Sequence, residues 1–150
     1  MTISPKKLNL FLLFKLPSAY FTGVRTTYID DNSCEVKVKH KWINQNPFKS
    51  MFWAVQGMAA ELTTGALMLT KIKASGKQIS MLVANNKGSF TKKATGKIIF
   101  KCSQGKDIDE VIKKAIETGE GQTIWLYANG IDESGDEVSQ FGFQWTLKVK

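Results

Sequence analysis

Ser50-Met51-Phe52-Trp53-Ala54-Val55-Gln56-Gly57-Met58-Ala59-Ala60-Glu61-Leu62-Thr63-Thr64-Gly65-Ala66-Leu67-Met68-Leu69-Thr70-Lys71-Ile72 is the most apolar stretch of the chain, and between Met51 and Thr70 its only charge is Glu61. Ser50 is a residue type that favours helix starts, and Ser75-Gly76 follows the last apolar residue, so the pattern predicts one long helix over 50–72. A run of about 20 residues also meets the length criterion for a membrane span. Gln56, Thr63 and Thr64 speak against a span, and a lone one would hold a carboxylate at mid-bilayer. Apolarity on all sides, with strand patterns before and after, predicts instead a central helix wrapped by a sheet.

The flanks supply that sheet. Upstream, Cys34, Val36, Val38, His40 and Trp42 alternate with Glu35, Lys37, Lys39 and Lys41, which predicts a half-buried strand with a lysine face in water and a core histidine. Downstream, Ile79–Ala84 and Phe90–Lys93 read as strand segments separated at Gly88-Ser89, and Lys97–Cys102 as a further strand. Asp107–Thr118 reads as a short amphipathic helix with acids near its start, where the helix dipole favours them. Thr123–Asn129 and Val138–Val149 form a hairpin through Asp132-Glu133-Ser134-Gly135, with Phe141, Phe143, Trp145, Leu147 and Val149 on one face. At the N-terminus, Leu8, Phe11, Leu12 and Leu16 mark one face of a docked helix over 5–16, closed by Pro17. The apolar run there is short, Lys15 interrupts its continuation, and no small-residue cleavage site appears, so a cytoplasmic location is expected. The expectation is an α+β protein, a curved antiparallel sheet around one helix, in a single domain over 1–150.

Composition narrows the chemistry. The 150 residues carry 21 Lys plus Arg against 13 acids, a formal charge of +8, with one Arg (Arg25) and one His (His40). Cys34 and Cys102 are too few for a disulfide framework or a cysteine-rich zinc site, and one His excludes a multi-histidine metal centre within the chain, so no metal is expected. A nucleophilic triad would have to be built on His40, which leaves a carboxylate as the more natural centre of any chemistry. From Val36 to Lys106 there are 13 lysines and one acid, Glu61. A basic balance suggests polyanions, but the single Arg argues against nucleic acid, whose recognition favours the guanidinium fork.

Glu61 stands out within this frame. Its neighbours at helical spacing are Gly57, Met58, Thr64 and Gly65, and two glycines leave a narrow helix face beside a carboxylate, as a ligand cavity would need. The other reading is a Glu on an exposed turn or paired with a lysine.

The stretch Asn46-Pro47-Phe48-Lys49-Ser50 through Gly65 resembles the central-helix signature of hotdog-fold thioesterases, the phenylacetate-pathway type and an uncharacterised bacterial branch in particular. That signature has an Asn, a His-Gly-Gly turn, and an acid nine positions after the His. Asn46 fits, and Glu61 lies nine residues after Phe52. Phe90-Thr91-Lys92-Lys93-Ala94-Thr95-Gly96 is similar to the family's later strand and turn. The resemblance implies a hotdog fold and a homodimer or tetramer with each site at a subunit interface. It implies Glu61 as general base or nucleophile on an acyl-CoA thioester, with Thr64 binding water or orienting Glu61. The backbone of Trp53 and Ala54 would polarise the carbonyl, while Asn46, Phe52, Gly57, Met58 and Gly65 line the pocket and Lys92 and Lys93 face coenzyme A. Coenzyme A enters only as part of the substrate, and no cofactor is implied. Phe52-Trp53-Ala54 replaces the His-Gly-Gly turn, which keeps a second reading open: a non-catalytic protein that binds acyl-CoA or fatty acid.

Overall fold

A computed structural model describes residues 3–150. Two helices come first, α1 (Pro5–Lys15) and α2 (Pro17–Phe21), followed by strands β1 (Arg25–Ile29) and β2 (Cys34–Lys39). The central helix α3 (Trp53–Ser75) leads to β3 (Ile79–Phe90) and β4 (Lys97–Cys102). Helix α4 (Gly105–Thr118) and the hairpin β5 (Gln122–Ile131) and β6 (Glu137–Val149) complete the chain. The strands form one six-stranded sheet in the order β1-β2-β4-β5-β6-β3, every neighbouring pair antiparallel.

The sheet packs its inner face on α3. Leu67 and Met68 on the helix, Val36 and Val38 on β2, Ile98 and Phe100 on β4, and Leu126 and Leu147 on the hairpin are all essentially inaccessible. The alternation expected for β2 and β4 appears directly as facing rows: Cys34 pairs with Cys102, Val36 with Phe100 and Val38 with Ile98. No helix of the described residues is long and apolar enough to cross a membrane.

Several boundaries differ from the sequence expectation. The central helix runs over 53–75, not 50–72, because Ser50 is held elsewhere. The Asn46 carboxamide accepts from the Ser50 backbone N–H (3.2 Å) and donates to the Ser50 hydroxyl (3.0 Å), which closes a turn that pairs Gln45 with Met51 ahead of the helix. Phe52 becomes the N-cap without a side-chain capping bond. At the other end Lys73, Ala74 and Ser75 continue the helix until Gly76, whose left-handed φ of 68° stops it. Helix α1 ends at Lys15, one residue early, and Pro17 opens the short α2 because proline suits a first helical position.

Trp42 does not share the strand face. It lies on a 3₁₀ turn (Trp42–Asn44) and is 83% exposed, because buried Asn44 folds back to bond Lys41 N–H and the carbonyls of Lys39 and Thr22. His40 is half-buried just past β2, with Nε2 enclosed and without a hydrogen-bond partner among the described residues. The strand expected over 79–84 runs on to Phe90 as one 12-residue strand, β3, and Thr91–Lys93, expected as strand, lie beyond its end. Its polar middle is tolerated because β3 is an edge strand, bonded only to β6, and its half beyond Ala84 is exposed.

The opposite edge is covered. Asn9 of α1 donates to the Thr26 carbonyl (3.0 Å) and accepts from the Thr26 N–H (2.8 Å), a pairing that imitates a neighbouring strand on β1. Leu8 and Leu12 anchor the same helix in the core.

Candidate active site

Glu61 sits midway along α3, half-buried, on the helix face that α1 overhangs. It borders a cavity of about 140 Å³. Leu62, Gly65, Ala66 and Leu69 of α3 form the floor, Met81 and Trp145 close the side of the sheet, and Leu8, Phe11 and Leu16 form the roof. Every group in that lining except Glu61 is apolar or aromatic. Among the described residues no side chain or backbone N–H bonds to the carboxylate and no cation pairs with it; burial alone pushes its pKa up. A carboxylate in that condition holds or takes a proton more readily than one in water.

Gly65 explains the closeness of Trp145. A Cβ built on Gly65 would lie 3.2 Å from the indole ring, tighter than ordinary packing, so glycine lets the ring lie against the helix beside Glu61. The indole N–H donates to Thr64 Oγ1 (3.0 Å), and the Thr64 hydroxyl donates to the Glu61 carbonyl (2.9 Å). Thr64 is fully buried and its only hydroxyl proton is spent on that carbonyl. It therefore fixes Trp145, and has no proton left to offer the Glu61 carboxylate.

A second, open groove of about 510 Å³ lies at the start of α3. Asn46, Phe52, Trp53 and Gln56 line one side, and Phe90 to Ala94 the other. By helix geometry the N–H groups of Trp53 and Ala54 have no intrahelical acceptor, whereas Val55 and Gln56 donate to the Phe52 carbonyl. Trp53 is 57% exposed and packs edge-on against Phe52, their centroids 6.0 Å apart. Buried Gln56 accepts from the Ser139 hydroxyl (2.8 Å), tying the first turn of the helix to β6.

The two regions are separate within one chain. Glu61 lies eight positions after Trp53, about 12 Å along a helix axis. Of the residues expected to line a pocket, Gly65 joins Glu61, while Asn46 and Phe52 join Trp53 at the groove. Gly57 faces Phe141, and Met58 packs partly buried against the core; neither borders the cavity or the groove. Lys92 and Lys93 border the groove, and the Lys92 ammonium is held by Asp132 and Asp136 at 2.7 Å each. Lys93 pairs with no acid among the described residues, and its nearest partner is the Phe48 carbonyl at 3.4 Å.

Trp145, Met81 and the roof residues Phe11 and Leu16 do not stand out as site residues in the sequence. Trp145 carries a signal all the same, since a buried indole N–H needs an acceptor and Thr64 is the hydroxyl that meets it.

The family model described as Domain of unknown function (DUF4442) matches residues 6–147. The chain belongs to the DUF4442 family. No curated protein matches its sequence. A Pseudomonas aeruginosa protein described as a probable thioesterase superimposes on this DUF4442 chain with a TM-score of 0.83 at 21% identity, covering 98% of this chain and 97% of that one. A thioesterase of Haemophilus influenzae gives 0.72 at 10% identity over 99% and 93%. The PaaI protein of the Escherichia coli phenylacetic acid degradation operon gives 0.64 at 12% identity over 92% and 89%. At these identities the likeness is one of fold, and the fold of the DUF4442 chain is the hotdog fold.

Proposed function

We propose that this chain is a thioesterase that hydrolyses an acyl-CoA as a homodimer, with Glu61 as its catalytic carboxylate. The observation that carries this reading is the state of Glu61, a half-buried carboxylate with no partner among the described residues, in an otherwise apolar cavity. Leaving such a group without a partner costs stability, and a reaction is the simplest reason to keep it. Acting as a base, Glu61 takes a proton from water as the water oxygen attacks the thioester carbonyl carbon. The C–S bond then breaks and the departing thiolate is protonated. Acting as a nucleophile, Glu61 attacks the carbonyl itself, and water releases the acid from the resulting anhydride.

A homodimer supplies what one chain lacks. Self-pairing of the open edge of β3, antiparallel about its middle, sets the Met81 end of one protomer beside the Phe90 end of its partner. In that arrangement the Glu61 cavity of one protomer adjoins the partner's groove, where helix-start N–H groups meet the developing oxyanion. Lys93 at the groove is then the cation that faces coenzyme A phosphates.

Release of free thiol from a panel of acyl-CoA esters tests the proposal. The Glu61→Gln variant should lose about 10²- to 10⁴-fold in kcat, the range typical of a removed general base. Hydrolysis that survives the substitution unchanged would refute the role of Glu61. A second reading, acyl binding without hydrolysis, is favoured by the Phe52–Trp53 pair, which places bulk at the helix start. It predicts retained acyl-CoA and no thiol release from any ester.

A further inference from the structure

Helix α1 is apolar on two opposite sides. Leu8 and Leu12 are buried against the core, while Leu10 and Phe14, one turn apart on the outward side, are 58% and 71% exposed. A helix that only covered a core would carry polar residues there. The outward ridge continues onto α2. Leu10 and Leu13 share a shallow groove of about 300 Å³ with Tyr20, and exposed Phe21 meets the Tyr20 ring edge-on at 5.6 Å. The result is an uncovered apolar patch across two helices, larger than a scatter of single surface residues.

The patch is rimmed by cations. Residues 1–29 contain Lys6, Lys7, Lys15 and Arg25 and no acid. Lys6 and Arg25 border the groove, with the Arg25 guanidinium 3.6 Å from the centroid of the Tyr20 ring. On the other flank of α1, Lys7 shares a space with Lys73 of α3. Neither lining holds an acid, and among the described residues none of these cations pairs with one. The first acid of the chain, Asp30, follows the far end of β1 and is engaged by Tyr28, Asn32 and Ser33.

We propose that the outward face of α1 and α2 docks on an anionic lipid surface, with Leu10, Phe14 and Phe21 at the boundary of headgroups and acyl chains and Lys6, Lys7 and Lys15 at the phosphates. A bilayer presents a negative layer over a hydrocarbon layer, and this face presents the complement of both. At 11 residues α1 is too short to cross a membrane and suits a position in its plane. A second copy of the chain is the competing occupant. The unobstructed margin for a second copy is β3, at the opposite end of the strand order from β1, to which α1 is bonded. Leu10 and Phe14 do not border the Glu61 cavity, so the docking face stands whether or not Glu61 is catalytic.

Co-sedimentation of the full-length chain with vesicles of equal parts phosphatidylglycerol and phosphatidylcholine, against vesicles of phosphatidylcholine alone, tests the proposal. The chain should bind the anionic vesicles, release them as salt is raised, and bind the neutral ones far more weakly. Burying a large apolar side chain is worth about tenfold or more in affinity, so Leu10→Gln with Phe14→Gln should weaken binding by at least that factor. Each lysine near an anionic surface contributes about fivefold, so Lys6→Gln with Lys7→Gln should weaken it about tenfold or more. Lys37→Gln with Lys39→Gln removes the same charge from the water face of β2 and should leave binding nearly unchanged. Melting temperatures equal to wild type show that the outward substitutions leave the fold intact; Leu10→Ser with Phe14→Ser replaces the first pair should it fold poorly. Absence of binding to anionic vesicles would overturn the proposal. So would binding that ignores Leu10 and Phe14, or that falls equally for both lysine pairs, since net charge alone would then explain it. A lipid-free oligomer that dissociates on Leu10→Gln with Phe14→Gln would assign the face to a second copy and overturn it as well.

Discussion

Replacing Glu61 with Gln should make the protein more stable as it makes it inactive. The carboxylate is half-buried against Leu62, Leu69, Met81 and Trp145, without a described partner, and burial raises its pKa above the ordinary 4.5. An uncompensated buried polar group costs about 1–3 kcal/mol, and partial contact with solvent puts Glu61 in the lower part of that range, about 1–2 kcal/mol. Glutamine keeps the shape and removes the charge. For a chain of this length the gain corresponds to a rise in Tm of roughly 2–8 °C at neutral pH. The sign depends on pH. Below the ordinary value of 4.5 folded and unfolded chains both hold the proton, so the variant has no advantage. Above it the unfolded chain ionises freely while the folded chain resists, so wild-type stability falls as pH rises and the gap between the proteins opens. Thermal melts of both proteins at neutral pH and at about pH 4 measure the gap. Equal melting temperatures at neutral pH, or the same offset at both pH values, would refute the claim that Glu61 is an uncompensated charge.

Groups away from the cavity give further expectations. Burial pushes the Cys34 thiol up to about 12 and also raises that of Cys102, so neither should react with an aromatic disulfide reagent in native protein at mildly alkaline pH. Both should titrate in denaturant, and rapid labelling of folded protein would contradict the packing. Asp30 accepts from Tyr28 O–H and from the backbone N–H groups of Asn32 and Ser33, which holds its carboxyl at about 2. The stability it contributes is complete above its ordinary 3.8 and is lost as pH falls toward 2, so Asp30→Asn should melt with a shallower acid dependence than wild type. Asn9→Ala removes both bonds to Thr26 and should lower urea-unfolding stability by about 1–2 kcal/mol. An unchanged midpoint would mean that α1 is held by Leu8 and Leu12 alone.

Much of this molecule is legible in the chain because its core obeys simple periods. β4 begins and ends where alternation over 97–102 places it, and α4 ends at Thr118 where Gly119 follows. The central helix is legible from apolarity, but its first residue is not, because a side-chain bond from Asn46 to Ser50 overrides a favourable cap. β3 is hidden by a polar run, Asn85 to Gly88, that breaks no rule on an edge where no helix needs covering. The Glu61 carboxylate stands out by sequence contrast alone. Its surroundings do not, since Phe11, Leu16, Met81 and Trp145 arrive from four separate elements (α1, the link to α2, β3 and β6) and only folding assembles them. The ion pairs of Lys92 are hidden in the same way, because only the hairpin turn brings Asp132 and Asp136 to a lysine two residues past a strand.

The Asn9 bond to Thr26 also limits growth. A sheet with two bare margins can recruit copies without limit, and such chains build fibres. Here one margin is only five residues long and its outward amide and carbonyl at Thr26 are already taken, while the other runs for 12 residues unobstructed. A chain with a single usable margin can add one copy and then has nothing left to extend from. Removal of the N-terminal helix would leave the Thr26 amide and carbonyl bare and give the sheet a second open margin.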